Sequence, residues 1–236
     1  MRLLALDTAS AACTVALVLG PVTHERHAIA PRRHAELVLP MIDELLAEAG
    51  IALAGLDAIA FGRGPGSFTG VRIACGVVQG LALGAALPVA PVSTLAALAE
   101  GARRERGERR ILAGFDARMG EVYWGAFVAR DGIVSAAGEE VVCRPEDVPI
   151  PREAGHWVGV GDAWAVYGDA LARRLGRRLS GVDPARFPAA RDVAALGAAL
   201  LTSGGGRSVE AALPRYLRDR VTRPAGSGGA GGAGVP

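Results

Sequence analysis

Two aspartates stand where a carboxylate could do chemistry. Asp7 closes the apolar run Leu3-Leu4-Ala5-Leu6, and Asp116 closes Ile111-Leu112-Ala113-Gly114-Phe115. At a hairpin tip such a carboxylate could hold a hydrated Mg²⁺ beside a phosphate. The turn after Asp7 is Thr8-Ala9-Ser10-Ala11, without the glycine a tight phosphate cradle wants, so Asp7 is expected to bond its own turn. Asp116, followed by Arg118 and Gly120, has the same standing. A two-metal nuclease needs several converging carboxylates. Asp7 with Glu36 or Asp43 could begin such a set, but the run 58–62 ends in Gly62-Arg63 where a third acid belongs. All 26 basic residues are arginine, which excludes a phosphate-loop lysine, a Schiff base and a lysine general base. Ser67 is no nucleophile elbow, since Pro65 and Thr69 stand two residues to either side. The histidines are His24, His27, His34 and His156. The first two, three apart on an expected strand, point to opposite faces. No catalytic constellation assembles from these residues.

The elements that would position these residues centre on Phe61–Thr94. Gly62-Arg63-Gly64-Pro65-Gly66 forces a sharp turn where backbones approach closely. Ser67 or Thr69 can cap the helix that follows, expected over 69–85, so Gly64, Pro65, Gly66, Ser67, Thr69 and Gly70 form a structural loop. That helix carries Gly76, Gly80 and Gly84. Each costs about 0.8–1 kcal/mol against alanine inside a helix. At i, i+4, i+8 they share nearly one face and leave a shallow groove that another backbone can fill, inside the fold or across a subunit interface.

Half of the residues are hydrophobic but only 5% aromatic, so the core is expected to pack from small aliphatics. The apolar stretch 77–92 is broken by Gln79, by glycines and by Pro88, and reads as a buried helix followed by a strand, not a membrane span. Asp7 comes too early for a signal peptide. The isolated Cys13, Cys75 and Cys143 read as small buried hydrophobes in a reducing compartment, and the cytoplasm is the expected location. A formal charge of +2 is too small for a stand-alone nucleic-acid binder. The arginine-rich stretch 103–110 reads as a solvated linker, and Arg173, Arg174, Arg177 and Arg178 as one solvated helical face.

Strands are expected at 3–6, 14–19, 22–29, 58–62 and 88–92, with helices at 33–49, 69–85 and 94–104. Pro40 either starts or kinks the first helix. That β-β-β-α-β-α-β-α order is the ribonuclease-H-like layout of actin-like α/β proteins. The run 111–116 followed by 121–128 echoes 3–7 followed by 14–19, as a duplicated second lobe would. Another strand is expected at 157–160, with helices at 164–176 and 192–202. The division is therefore a lobe at 1–105 with the first two helices, which the resemblance given below makes the dimerisation helices, a lobe at 106–222, and a disordered Gly/Ala tail at 223–236.

Leu6-Asp7-Thr8, Arg33-His34-Ala35-Glu36-Leu37-Val38-Leu39-Pro40, the block 62–94, Asp116-Ala117-Arg118-Met119-Gly120-Glu121-Val122-Tyr123 and Pro214-Arg215-Tyr216-Leu217-Arg218 together resemble the TsaB family, also called YeaZ. The resemblance implies a two-lobed actin-like fold and a part in making N6-threonylcarbamoyladenosine at position 37 of tRNAs that read codons beginning with A. It implies a non-catalytic partner of the paralogue TsaD, with the ATPase TsaE joining the complex and a homodimer when alone. tRNA would be met through the complex, and no membrane is involved. ATP or ADP and the metal belong to the partner subunits, and this subunit requires no cofactor. The catalytic paralogue's His-x-x-x-His metal motif stops here at His34, because Val38 takes the second position. The implied pairing surface is the first two helices, with His34, Val38, Met41, Ile42, Leu45, Arg72, Gly76, Gly80 and Gly84. The alternative reading is a stand-alone actin-like ATPase using Asp7 and Asp116. A glycoprotease, suggested by older names in the superfamily, lacks a visible metal site or nucleophile–base pair.

Overall fold

A computed structural model describes residues 1–218. The expected tail at 223–236 lies outside the described residues. The chain begins with three antiparallel strands, β1 (Arg2–Asp7), β2 (Ala12–Leu19) and β3 (Val22–Ile29), then α1 (His34–Ala49), β4 (Ala58–Gly62), α2 (Phe68–Ala85), β5 (Val89–Val92) and α3 (Thr94–Arg106). It repeats the plan with β6 (Arg110–Arg118), β7 (Glu121–Arg130), β8 (Ile133–Ala136), β9 (Val141–Cys143), β10 (Trp157–Val160), α4 (Ala163–Leu175), β11 (Leu179–Asp183) and α5 (Ala190–Thr202). The first sheet has the order β3-β2-β1-β4-β5 and the second β11-β10-β6-β7-β8, with β9 paired to β7. Read from opposite ends, the two are the same sheet. In each, a three-stranded antiparallel meander is extended by two parallel strands.

Strand alternation decides the layers. Leu4 and Leu6 of β1 face α1 and α2, packing with Val38, Ile42, Leu45, Val71 and Val78. Leu3 and Ala5 face the other way, onto Val193 and Ala194 of α5. Helix α3 lays Leu95, Leu98 and Ala102 on Ile111, Ala113 and Phe127 of the second sheet. The far face of that sheet, with Leu112, Trp124 and Trp157, is covered by Trp164 and Leu171 of α4. Helices α3 and α5 also pack on each other, so they form one layer between the two sheets. The helix nearest residue 105 thus serves the second sheet, while α5, late in the chain, returns to the first.

The small-aliphatic core is what this sandwich requires. A Cβ at Gly197 of α5 would stand 2.4 Å from the Cβ of Ala60, so the helix lies almost on the sheet. Cys13 and Cys75 are buried and Cys143 half-buried, and burial pushes each thiol up to about 11.

Four local expectations need correction. The arginine-rich stretch is not a solvated linker. Helix α3 runs through it to Arg106, since Arg103 pairs with buried Glu100 at 2.6 Å and Arg104 with buried Asp192 at 2.7 Å. Arg173, Arg174, Arg177 and Arg178 are not one helical face, because α4 ends at Leu175. Arg174 donates to the Val148 carbonyl (3.1 Å) and Arg178 to the Pro151 carbonyl (2.6 Å). Of the two expectations for Pro40, a place at the helix start is overturned: it lies well inside α1, whose first turn begins at His34. The short strands β8, β9 and β11 were not among the expected elements.

Candidate functional site

Asp7 is fully buried at the end of β1, and both of its oxygens are engaged. Oδ1 accepts from the Ala9 amide at 2.8 Å, and Oδ2 from the Thr94 hydroxyl at 2.9 Å. Thr94 Oγ1 in turn accepts from the Gly64 amide at 3.2 Å. Burial raises the Asp7 carboxyl to about 6, although both hydrogen bonds pull it down. The glycine loop is pressed onto this turn. Ser67 donates its amide to the Ala9 carbonyl at 2.7 Å, and Thr8 its hydroxyl to the Gly70 carbonyl at 2.7 Å. A Cβ at Gly66 would fall 2.2 Å from the Ala9 oxygen, and one at Gly70 1.9 Å from the Thr8 oxygen. Backbone fills the place where the hairpin could have cradled a phosphate. Ser67, not Thr69, caps α2, its Oγ accepting from the Gly70 amide at 3.3 Å. The Gly64–Pro65 peptide bond is cis.

Asp116 sits near the end of β6, before the irregularity that leads into the turn, and is engaged as well. It accepts from the Arg118 amide at 2.8 Å and from the Tyr167 hydroxyl at 3.1 Å, and pairs with the Arg118 guanidinium at 3.0 Å. Its own amide donates to Asp162 Oδ1 at 2.9 Å. Among the described residues, none bonds to both Asp7 and Asp116, and no three His, Cys, Asp or Glu gather as a metal set. A cleft of about 530 Å³ opens beside β3 and the ends of α3 and α5, lined by Glu25, Arg104, Glu105, Asp183, Arg186 and Arg191. Its arginines are matched internally. Arg104 meets Asp192 and Glu105, Arg186 meets Asp183 and Glu105, and Arg191 meets Glu25.

The helix pair α1/α2 splits the expected pairing residues into two sets. Val38, Ile42 and Leu45 are buried in the core under the first sheet, and His34 is buried beside them. They form the inward stripe of α1 and cannot be contact atoms for another chain. Met41 is half-buried at the margin of that core. Arg72, Gly76, Gly80 and Gly84 are exposed on α2, and a Cβ built on any of the three glycines meets nothing within 4 Å. The opposite face of α2, with Val71, Ala74, Cys75, Val78 and Ala82, is buried. The helix is therefore covered on one side only, and its glycine groove faces outward. By length and composition its 18 residues, of mean hydropathy 1.4, would also suffice to cross a membrane, but the inner face is packed on β4 and its neighbours.

Several residues of this surface lie outside the expected pairing set. Leu83, beside Gly84, is 73% exposed, and Leu39 on the outer side of α1 is 45% exposed. The segment after α5 runs back along α2: Gln79 donates to the Ala212 carbonyl at 2.9 Å and Arg215 donates its amide to the Arg63 carbonyl at 2.8 Å. This brings exposed Tyr216 onto Phe68 at the start of α2. Apolar residues out of phase with the buried stripe are the signal that could have found Leu39 and Leu83. Nothing local to Tyr216 announces its neighbour.

Two sheets sharing one five-strand plan, each with an engaged aspartate at or near the end of its first strand, define a two-lobed actin-like protein. Residues 22–222 match the family described as TsaD, tRNA N6-adenosine threonylcarbamoyltransferase. The tRNA threonylcarbamoyladenosine biosynthesis protein TsaB of Escherichia coli (strain K12) is 43% identical over 224 residues, covering 94% of this chain and 96% of the relative. Its namesake from Haemophilus influenzae is 44% identical over 185 residues, with 74% and 78% covered. A solved structure, YeaZ from Pseudomonas aeruginosa, superposes with a TM-score of 0.86 at 47% identity, covering 92% of this chain and 99% of that one. The chain belongs to the TsaB (YeaZ) family, within the wider TsaD group.

Proposed function

We propose that this chain is a non-catalytic scaffold and activator subunit for N6-threonylcarbamoyladenosine formation at position 37 of tRNAs reading codons beginning with A. In this reading it pairs with a TsaD subunit, TsaE joins the pair, and the chain forms a homodimer when alone. The observation that carries the reading is the outward glycine row of α2, open at Gly76, Gly80 and Gly84 beside exposed Leu83. A row at i±4n is one of the grooves into which a second helix lays its ridge, and the commonest packing class crosses two such rows at about −50°. Without side chains at those points the partner backbone can approach closely, which offsets a helix cost of about 0.8–1 kcal/mol per glycine. The engagement of both Asp7 oxygens and of Asp116 supports assigning nucleotide and metal to the partner subunits.

Light-scattering chromatography of the chain, alone and mixed with TsaD from the same source, tests the pairing. A peak at heterodimer mass is expected, and Gly80→Leu should abolish it while the monomer stays folded, because that face is open to solvent. A folded Gly80→Leu chain that still pairs normally overturns the interface. Separate elution even with TsaE and nucleotide present overturns the partner. Tight binding of ATP and Mg²⁺ by the chain alone would then favour a nucleotide-binding enzyme.

A further inference from the structure

Beyond the glycine row, at the N-terminal end of α2, stands a cluster of exposed rings around one guanidinium. Phe68 is 56% exposed and Tyr216 47%, yet their ring centroids lie 5.8 Å apart with planes tilted by 33°. The Arg72 guanidinium carbon lies 3.2 Å from the Phe68 centroid and 4.9 Å from that of Tyr216. Its hydrogen bond goes to the Phe68 carbonyl at 3.3 Å. Next to the cluster, Arg63 and Arg215 are joined through backbone and share the neighbourhood of one carboxylate, Glu140, which Arg215 approaches to 3.8 Å. Arg118 and Arg218 are matched by Asp116 and Glu121. Among the described residues, no carboxylate lies within ion-pair distance of Arg72 or Arg63.

Half-exposed rings holding a guanidinium that pairs with no carboxylate among the described residues ask for a ligand that is flat and negatively charged at once. Unpaired nucleotides provide both in each repeating unit. The base stacks on an aromatic ring or a guanidinium plane, and its phosphate meets the cation. A protein partner would have to bring a carboxylate and an apolar surface separately. We propose that Phe68, Arg72 and Tyr216 form a stacking platform for an unpaired base of an RNA loop, with Arg63 and Arg215 serving the flanking phosphates. The proposal rests on the reading of the chain as a subunit of a tRNA-modifying complex. It places a direct RNA contact on this subunit, at the end of α2 rather than on the glycine groove. The small formal charge of the whole chain does not oppose it, because the excess positive charge is local.

The test uses the heterodimer with TsaD, its mass verified by light scattering, and fluorescence anisotropy with three labelled RNAs. These are an unmodified tRNA transcript, a stem–loop with a seven-base loop, and a perfectly paired duplex of similar length. The double variant Phe68→Ala/Tyr216→Ala is expected to bind the transcript and the stem–loop about tenfold or more weakly, with the duplex unchanged. Arg215→Gln is expected to reduce the slope of log affinity against log salt by about 0.7–1, as loss of one phosphate contact does. Parent-like affinity for the stem–loop in the double variant overturns the platform, and so does an equal loss on loop and duplex. Separation of the variant subunits on the column also overturns it, assigning the patch to the protein partner. If the parent chain and TsaD do not pair at all, the scaffold reading fails. The same titration on the isolated chain then decides the platform alone, with an unchanged variant overturning it.

Discussion

Asp7 connects a single carboxyl to the stability of the first lobe. Its folded-state value of about 6 lies above the ordinary 3.8, so the folded protein holds this proton more tightly than the unfolded chain does. The sign follows from linkage: the contribution is fully present below about pH 4 and is lost as pH rises through about 6. A shift of that size corresponds to about 3 kcal/mol. Asp7→Asn cannot ionise, and its amide oxygen can still accept from Ala9. The parent's urea midpoint is expected to fall relative to the variant's between pH 4.5 and 7.5, and the difference between the two curves isolates Asp7. Parallel curves would place the ionisation elsewhere. That Asp7 bonds its own turn was legible in the sequence, because a hairpin aspartate with short polar neighbours does so commonly. The hydroxyl of Thr94, 87 positions away, was not, since only the β1–β4–β5 pairing brings the two together.

The glycines of α2 and of the loop before it divide into two kinds that the element makes visible. Gly76→Ala and Gly80→Ala place a methyl group in open space, so each should raise the stability of the isolated chain by about 0.8–1 kcal/mol. Under the proposed pairing with TsaD the same changes should weaken it, since the methyls occupy the groove. Gly70→Ala drives a methyl into the Thr8 carbonyl and should destabilise the chain by about 3 kcal/mol or more. Urea midpoints at high dilution, with light scattering of the mixtures, check all three; a Gly76→Ala chain that is less stable in isolation would show the face to be covered. The cost of the glycine row was readable from sequence, and so was its helix. The side of α1 that carries contacts was not. The spacing of Val38, Ile42 and Leu45 marks a buried face without saying whether a sheet or a partner buries it. Strands β8, β9 and β11 escaped because short strands such as β11, mostly exposed, carry little apolar alternation.

At the scale of the molecule the lobes are crossed by their helices, and one ion pair ties the crossing. Arg104, on the helix that packs the second sheet, meets Asp192, on the helix that packs the first, through contacts of 2.7 and 3.1 Å. Asp192 is 1% exposed, and burial raises its carboxyl although Arg104 pulls the other way. Sequence reading saw Arg104 in a charged run and took water for its partner, because the pairing spans 88 positions and needs both sheets in place. Arg104→Met would leave that carboxylate in the interior without its cation. Breaking a fully buried pair costs about 3–5 kcal/mol, and the one-third exposure of Arg104 reduces this to about 2–3. The loss should be larger at pH 8 than at pH 5, since a raised carboxyl escapes the penalty by taking up a proton as pH falls. Asp192→Asn alone should cost less, because Arg104 can turn toward water and Glu105. The double variant should recover more than half of the loss, giving a coupling of about 1–2 kcal/mol in a urea-denaturation cycle. Additive losses would mean that the two lobes are held by apolar packing of α3 on α5 alone.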